Sequence, residues 1–357
     1  MTDNIEEEEL DFKVLATMRY DPWLLNMQRF NRPDDSFIQI QSNWGLYQLS
    51  DDDMGYNFPN TKNIEDIRSK TNFGEVVRSK EWTPPPYLII HRSELYHRDV
   101  EEVELMKKFI LGRCLFYKQH FQRILYSIKT FGMDSDLTAE KLEQMLFKTL
   151  VRDIPYAMTD KSWKYRGNLL SSKETAKIRI CVNSEGNLWF QKVVIDGPTE
   201  FSPNHFMRNI LGGLLESTKP TWDVFMDDIP MVASKFTTFK TTKRDHYDAA
   251  RERMLIKAKE FRGNNYISKA EVLLFNDQNL ITEGSITNIA VKVTDGMGTR
   301  YVTPYLTSGC LCGVMRYYLL KKGHIVEGDV PKDSIKNGDV ILIFNGVMGC
   351  VKGTVRM

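Results

Sequence analysis

Apolar residues recur along this chain at two spacings, one of two residues and one of three to four, and the two alternate from end to end. Phe12 to Tyr20 (FKVLATMRY) is a strand-like run that stops at the turn signal Asp21-Pro22. Residues 22–100 carry Asp51-Asp52-Asp53, Pro84-Pro85-Pro86 and several asparagines without a clear period. They read as an elaboration with irregular connections, not as an independent domain. Arg113 to Tyr117 is a short apolar strand candidate. Phe121, Ile124, Leu125 and Ile128 then return at helical spacing, with Gly132 as the stop. Leu142, Met145, Leu146 and Leu150 mark one face of a second helix. Ala176 to Asn183 and Leu188 to Ile195 predict a hairpin around Ser184-Glu185-Gly186-Asn187.

The second half opens with a weaker stretch, Thr218 to Asp228, which reads as a link between domains. A helix follows over Asp245 to Phe261, with Tyr247, Ala250, Met254, Ala258 and Phe261 on its buried face and Gly263 just past its end. Strands are expected at Glu271–Phe275, Ile289–Val293 and Tyr301–Thr303. Another helix begins near Gly313 and stops before Gly323. Val340 to Phe344 is a last buried strand, running into the turn Asn345-Gly346-Val347-Met348-Gly349. Interspersed strands and helices place the chain in the α/β (α+β) class. The expected division is a smaller N-terminal α/β domain over 1–217, with an insertion at about 22–112, a link at 218–228 and a C-terminal domain over 229–357.

Composition narrows the partners. The 357 residues are enough for two domains, and 42% apolar with 27% charged residues is the balance of a soluble globular protein. Forty-eight basic against forty-seven acidic residues leave a net charge of +1. Neither nucleic acid nor an anionic membrane is therefore expected on electrostatic grounds. No apolar run approaches the ~18 residues of a membrane span. Glu6 to Glu9 are acidic where a leader would be basic, so a cytoplasmic protein is expected. The five cysteines are scattered and read as reduced thiols. Cys310 and Cys312 form a C-x-C pair with no second pair nearby, and the histidines lack ligand spacing, so no metal site is expected.

Four distant segments together suit an aldehyde and an anion. In Phe239-Lys240-Thr241-Thr242-Lys243-Arg244-Asp245-His246-Tyr247, Lys240 stands between a polar strand end and a helix start. A lysine amine held there would condense with an aldehyde if its surroundings freed it from its proton, although a lysine is ordinarily a solvated surface side chain. In Thr282-Glu283-Gly284-Ser285-Ile286-Thr287-Asn288, Glu283 sits at a turn between apolar strands and suits a protonated ring nitrogen. Ser308-Gly309-Cys310-Leu311-Cys312-Gly313-Val314-Met315-Arg316 opens a helix, whose unpaired N–H groups and positive end suit a phosphate. Arg123 in His120-Phe121-Gln122-Arg123 has the fork geometry for a phosphate. Each segment alone is weak.

Taken in chain order, with the Arg123 segment first, they resemble the fold-type IV pyridoxal-phosphate enzymes, a family of branched-chain aminotransferases, D-amino acid aminotransferases and aminodeoxychorismate lyases. The matching patterns are H-x-x-R, K-T-T-x-R-x-x-Y, T-E-G-S-x-x-N and G-x-M-R, with the last strand and its N-G-V-M turn. The likeness covers Arg113 to Lys352 and the opening Leu15 to Tyr20. Within the family the chain is most similar to the lyase branch of fungal type. Phe239-Lys240-Thr241-Thr242 with Arg244-Asp245-His246-Tyr247, Gly309 to Gly313, and Phe344 to Cys350 carry that closer likeness.

The resemblance implies a two-domain fold, pyridoxal 5'-phosphate as cofactor, a small-molecule substrate and a homodimer. It implies elimination of pyruvate from aminodeoxychorismate to give para-aminobenzoate, with a class IV aminotransferase and a non-catalytic binding protein as the competing readings. Lys240 would carry the cofactor covalently and then move the proton, and Glu283 would keep the ring nitrogen protonated. Arg123, the N–H groups of Val314 and Met315, and the turn Asn345-Gly346-Val347 would hold the phosphate. Ser285, Ile286 and Thr287 would line the cofactor, Tyr247 would touch it, and Asn288 would fix the turn. Arg19, Thr17, Lys177, Arg179 and Arg244 are the candidates for the substrate, whose two carboxylates call for cations.

Overall fold

The structure, a computed structural model, describes residues 12–24, 107, 110–151, 174–198, 205–262, 269–296 and 298–357. These belong to two compact units that part between Phe206 and Met207. Most of the insertion expected at 22–112, and Gly263, lie outside the described residues.

In the first unit, β1 (Val14–Tyr20) leads to α1 (Tyr117–Thr130) and α2 (Ala139–Val151), followed by β2 (Ala176–Val182) and β3 (Leu188–Val194). The three strands form one antiparallel sheet in the order β1-β2-β3, with β2 and β3 making the expected hairpin. Helix α1 packs on β1 and Gly132 follows it in the left-handed region, where only glycine is free of strain. Two expectations change. Arg113 to Tyr117 is not a strand: Arg113 and Cys114 close turns on Ile110 and Leu111, and only Cys114 bridges to Tyr20. Burial without a neighbouring ladder explains its apolar character. On α2, Leu142, Leu146 and Leu150 are fully buried, whereas Met145 is exposed.

The second unit begins with β4 (Trp222–Met226), α3 (Lys235–Thr238) and α4 (Asp245–Arg262). It continues through β5 (Ala270–Phe275), β6 (Ile281–Gly284), β7 (Asn288–Asp295), β8 (Gly298–Thr303) and α5 (Val314–Lys321). It ends with β9 (Val326–Glu327), β10 (Val340–Asn345) and β11 (Gly349–Arg356). The eight strands form one sheet in the order β6-β5-β4-β11-β10-β7-β8-β9. Strand β4 therefore occupies the stretch expected to be a link. Its apolar run is short, and it holds its place by parallel pairing with β5 and β11 rather than by its own pattern.

That strand order forces the sheet to curl. Strands β6 and β7 stand five strand spacings apart in the order, about 24 Å if the sheet were flat. Only Ser285, Ile286 and Thr287 join them, a connection that reaches about 14 Å at full stretch. The sheet must bend until its β6 end returns towards β7. One face gathers Val224, Leu273, Phe275, Ile289, Ile341 and Val355. On the other, Phe225, Val272 and Leu274 pack under Tyr247, Ala250, Met254 and Ala258 of α4. The alternate residues of β4 and β5 thus serve opposite faces, as a period of two requires. Phe261, expected on the buried face of α4, is half exposed; it meets Phe225 edge-on at 6.0 Å and lies under the Arg356 guanidinium.

Candidate active site

The turn that closes the curled sheet carries the densest polar chemistry of the second unit. Glu283, next to last in β6, is buried. The Tyr247 hydroxyl donates to its Oε1 at 2.5 Å, Asn288 Nδ2 lies 3.4 Å from its Oε2, and the Leu311 backbone N–H donates to it. Burial nevertheless prevails over these donors and over the nearby charges of Lys240 and Arg244, and pushes the carboxyl up to about 7. Tyr247 is driven the opposite way from ionisation, by burial first and then by the Glu283 charge, so it stays a donor.

Hydrogen bonds tie the distant segments to this turn. Arg244 Nη2 donates to the Ser285 carbonyl at 2.6 Å while its guanidinium lies 4.6 Å from the Tyr247 ring centre. Asn288 Nδ2 donates to the Leu311 carbonyl at 2.6 Å, and a Cβ on Gly313 would come within 2.1 Å of Asn288 Oδ1. Only glycine fits there. Asn345 Nδ2 reaches the Ile286 carbonyl at 3.1 Å, and its Oδ1 accepts from the N–H groups of Val347 and Met348. The lysine segment, the Glu283 turn, the glycine-rich entry to α5 and the Asn345 turn therefore converge within one unit.

Lys240 is half-buried and follows α3, a short helix with a capping box at Ser234, rather than the strand end expected from sequence. Helix α5 starts at Gly313 with no side chain capping it, which leaves its entry to the backbone groups of Val314 and Met315. Arg316 does not join them. It is fully buried, bonded to the Pro304 carbonyl at 2.8 Å and paired with Glu327. Cys310 and Cys312 are buried thiols, and burial pushes Cys310 up to about 12.

Sequence reasoning missed Glu271 and Arg251. Glu271 is fully buried, and its Oε1 accepts from Ser285 Oγ at 2.6 Å and from Ser285 N at 3.1 Å. Its Oε2 accepts from Ile286 N at 3.2 Å and from Thr287 Oγ1 at 3.0 Å. The hydroxyls of Ser285 and Thr287 are thus directed at a carboxylate, and Ile286 is exposed. Arg251 Nη1 donates to Ser285 Oγ at 2.8 Å. A signal was present: Glu271 interrupts the apolar run Ala270-Glu271-Val272-Leu273-Leu274-Phe275, where a charge must find buried partners.

The remaining candidates belong to the first unit. Arg123 is buried on α1, with His120 Nδ1 3.5 Å from its Nη2. Arg19 is buried too, and its Nε donates to Asp21 Oδ2 at 2.8 Å; His205 Nε2 lies 2.9 Å from the same oxygen. In the sheet register Arg19 stands opposite Lys177, and Thr17 opposite Arg179. Lys177 is held below the usual lysine range by burial and then by the charge of Arg179, which is exposed.

Comparison with known proteins adds lineage to this geometry. Residues 103–354 match the family model described as Amino-transferase class IV. An aminodeoxychorismate lyase of Saccharomyces cerevisiae is 32% identical, over 97% of this chain and 93% of its own length. Similar solved structures include a 4-amino-4-deoxychorismate lyase from Pseudomonas aeruginosa, at 16% identity, TM-score 0.42, and coverage of 68% of this chain and 78% of that one. A branched-chain aminotransferase from Thermoproteus uzoniensis is 17% identical with a TM-score of 0.45, covering 68% of this chain and 72% of its own.

Proposed function

This chain belongs to the amino-transferase class IV family, and from that premise we propose that it is an aminodeoxychorismate lyase that uses pyridoxal 5'-phosphate to make para-aminobenzoate. The identity to the yeast lyase over nearly the whole of both chains is what favours the lyase over an aminotransferase. The observation that carries the chemistry is the convergence of the lysine segment, the α5 entry and the Asn345 turn on Glu283.

The residues fit the cofactor. Glu283 is a buried carboxyl whose burial outweighs the donors around it, so a cationic ring N–H is the partner that would let it ionise. The uncapped start of α5 suits an anionic phosphate. When bound, pyridoxal phosphate supplies an aldehyde for a lysine amine and a conjugated ring that accepts electrons from the substrate carbon. Lys240 is the amine for that attachment. Tyr247 and Asn288 hold Glu283 in place, and Glu283 keeps the proton on the ring nitrogen. Lys240 Nζ would also be the base that takes the proton from the amine-bearing carbon of aminodeoxychorismate. Para-aminobenzoate and pyruvate together contain every atom of the substrate. The one proton that Lys240 removes is therefore the one that the departing enolpyruvyl carbon needs, and no water is consumed.

A cytoplasmic location belongs to the proposal, supported by five buried cysteines that stand as thiols rather than in disulfides. No described helix is long and apolar enough to cross a membrane.

The test is to mix the cofactor-loaded protein with aminodeoxychorismate and measure pyruvate and para-aminobenzoate. Both should appear in equal amounts, and Lys240→Ala should abolish both. Conversion of the cofactor by amino acids, without pyruvate release from aminodeoxychorismate, would overturn the lyase reading in favour of an aminotransferase.

A further inference from the structure

We propose that Glu271 is a positioning residue for Glu283: its carboxylate gathers the donors of the Ser285–Thr287 turn and so fixes the direction in which Glu283 is presented. The inference rests on reading Glu283 as the partner of the cofactor ring.

Glu271 lies on β5 in an otherwise apolar strand, without exposure to water. A carboxylate is tolerated there only when its lone pairs are filled. They are filled almost entirely from one place. Ser285 N, Ser285 Oγ, Ile286 N and Thr287 Oγ1 all donate to it, and Val272 N adds one more at 2.9 Å. The single side-chain cation beside it among the described residues is Arg251, whose Nη1 lies 3.4 Å from Oε1 and also donates to Ser285 Oγ.

This turn ties the β6 end of the curled sheet back to β7, so its shape has little slack. Glu283 lies two residues before it, and Asn288 follows it directly. Gly284 stands between Glu283 and the turn, wrapped on the carboxylate: a Cβ there would lie 2.8 Å from Glu271 Cδ and 2.4 Å from Thr287 Oγ1. On the far side, Arg244 holds the Ser285 carbonyl and lies against Tyr247, whose hydroxyl is on Glu283. A closed circuit results, running Glu283, Tyr247, Arg244 and Ser285 and back along the chain through Gly284, with Glu271 anchoring it at Ser285. The two carboxylates divide the work. Glu271 is saturated by the turn, while Glu283 accepts from the neutral donors Tyr247, Asn288 and the Leu311 N–H.

The experiment compares Glu271→Gln, Glu283→Gln and Asp227→Asn in the full chain. The glutamine keeps the shape of Glu271 but turns one acceptor into a donor that faces donors. Asp227 is a control, an equally buried carboxylate paired with Arg253 in the same unit. Three quantities are read: the melting temperature of the cofactor-free protein, its affinity for pyridoxal phosphate, and the pH midpoint of the bound cofactor's visible absorbance. Glu271→Gln should weaken cofactor binding about tenfold or more, by the scale of lost supporting contacts, and move the pH midpoint by about one unit. Asp227→Asn should lower the melting temperature alone. Should Glu271→Gln also lower only the melting temperature, the positioning role is overturned. An unchanged affinity and midpoint in Glu283→Gln would instead overturn the reading of Glu283, and the proposal with it. If Glu271→Gln does not fold, Arg251→Met replaces it, with a smaller shift in the same direction expected and no shift overturning the proposal.

Discussion

Glu283 keeps its proton to about pH 7, against an ordinary value of 4.5, because burial costs its charged form more than its neighbours return. Between those two values the folded, cofactor-free protein holds a proton that the unfolded chain has released. Stability from this group is therefore full below the unfolded value and is lost as pH rises through the folded one. The difference amounts to about 3 kcal/mol. Urea midpoints of the cofactor-free protein, measured from pH 4.5 to 7.5, should fall with rising pH, and Glu283→Gln should flatten that fall. A variant curve parallel to the parent's would place the titrating group elsewhere. The chemistry-bearing side chains were readable because each stands in a short, distinctive string. Glu271 shows locally only as a charge in an apolar run; its role depends on donors fourteen residues further along, which no local pattern displays.

At the scale of elements, the end of β1 shows a second use for a candidate site residue. Arg19 is a candidate for a substrate carboxylate, and its Nε donates to Asp21, which also faces His205 and accepts from the Trp23 N–H at 3.0 Å. Burial opposes the charge of Asp21, but the hydrogen bond from His205, the charge of Arg19 and the Trp23 N–H together hold the carboxyl below its usual range. Its contribution is therefore present above the ordinary carboxylate value and lost as pH falls through the lowered one. Asp21→Asn should destabilise the protein by about 3 kcal/mol, the scale for breaking a buried ion pair. Urea unfolding at pH 7 measures it, and a loss below about 1 kcal/mol would mean the cluster behaves as a surface pair. Elements of strong period, such as the β2–β3 hairpin, α1 and α4, follow directly from the chain. The misread ones fail for stated reasons. Arg113 to Tyr117 is apolar because it is buried, its pairing stopping at one bridge between Cys114 and Tyr20, and Met145 and Phe261 sit at the margins of their helices' buried faces.

The order of the eight strands sets how the second unit holds together. Strand β11 is the last element of the chain, yet it lies inside the sheet, parallel to β4 on one side and antiparallel to β10 on the other. Its sequence, Gly-Cys-Val-Lys-Gly-Thr-Val-Arg, has two glycines and no clean alternation, so it is silent to pattern reading. Two features show that it is built in. Gly349 has φ +78°, and a Cβ there would stand 2.3 Å from the Ile210 carbonyl oxygen. Lys352 donates to the Leu215 carbonyl at 2.8 Å. Without β11 the sheet divides into β6-β5-β4 and β10-β7-β8-β9. The turn from β6 to β7 would then join two pieces with no ladder between them, and Glu271 and Glu283 would lose the frame that sets them. A chain ending at Met348 should therefore show no cooperative melting of the second unit and no saturable binding of pyridoxal phosphate. Calorimetry and a fluorescence titration of the shortened chain test both. A cooperative transition with cofactor binding retained would mean that the two halves of the sheet are held by α4 and the core packing, and that β11 only covers an edge.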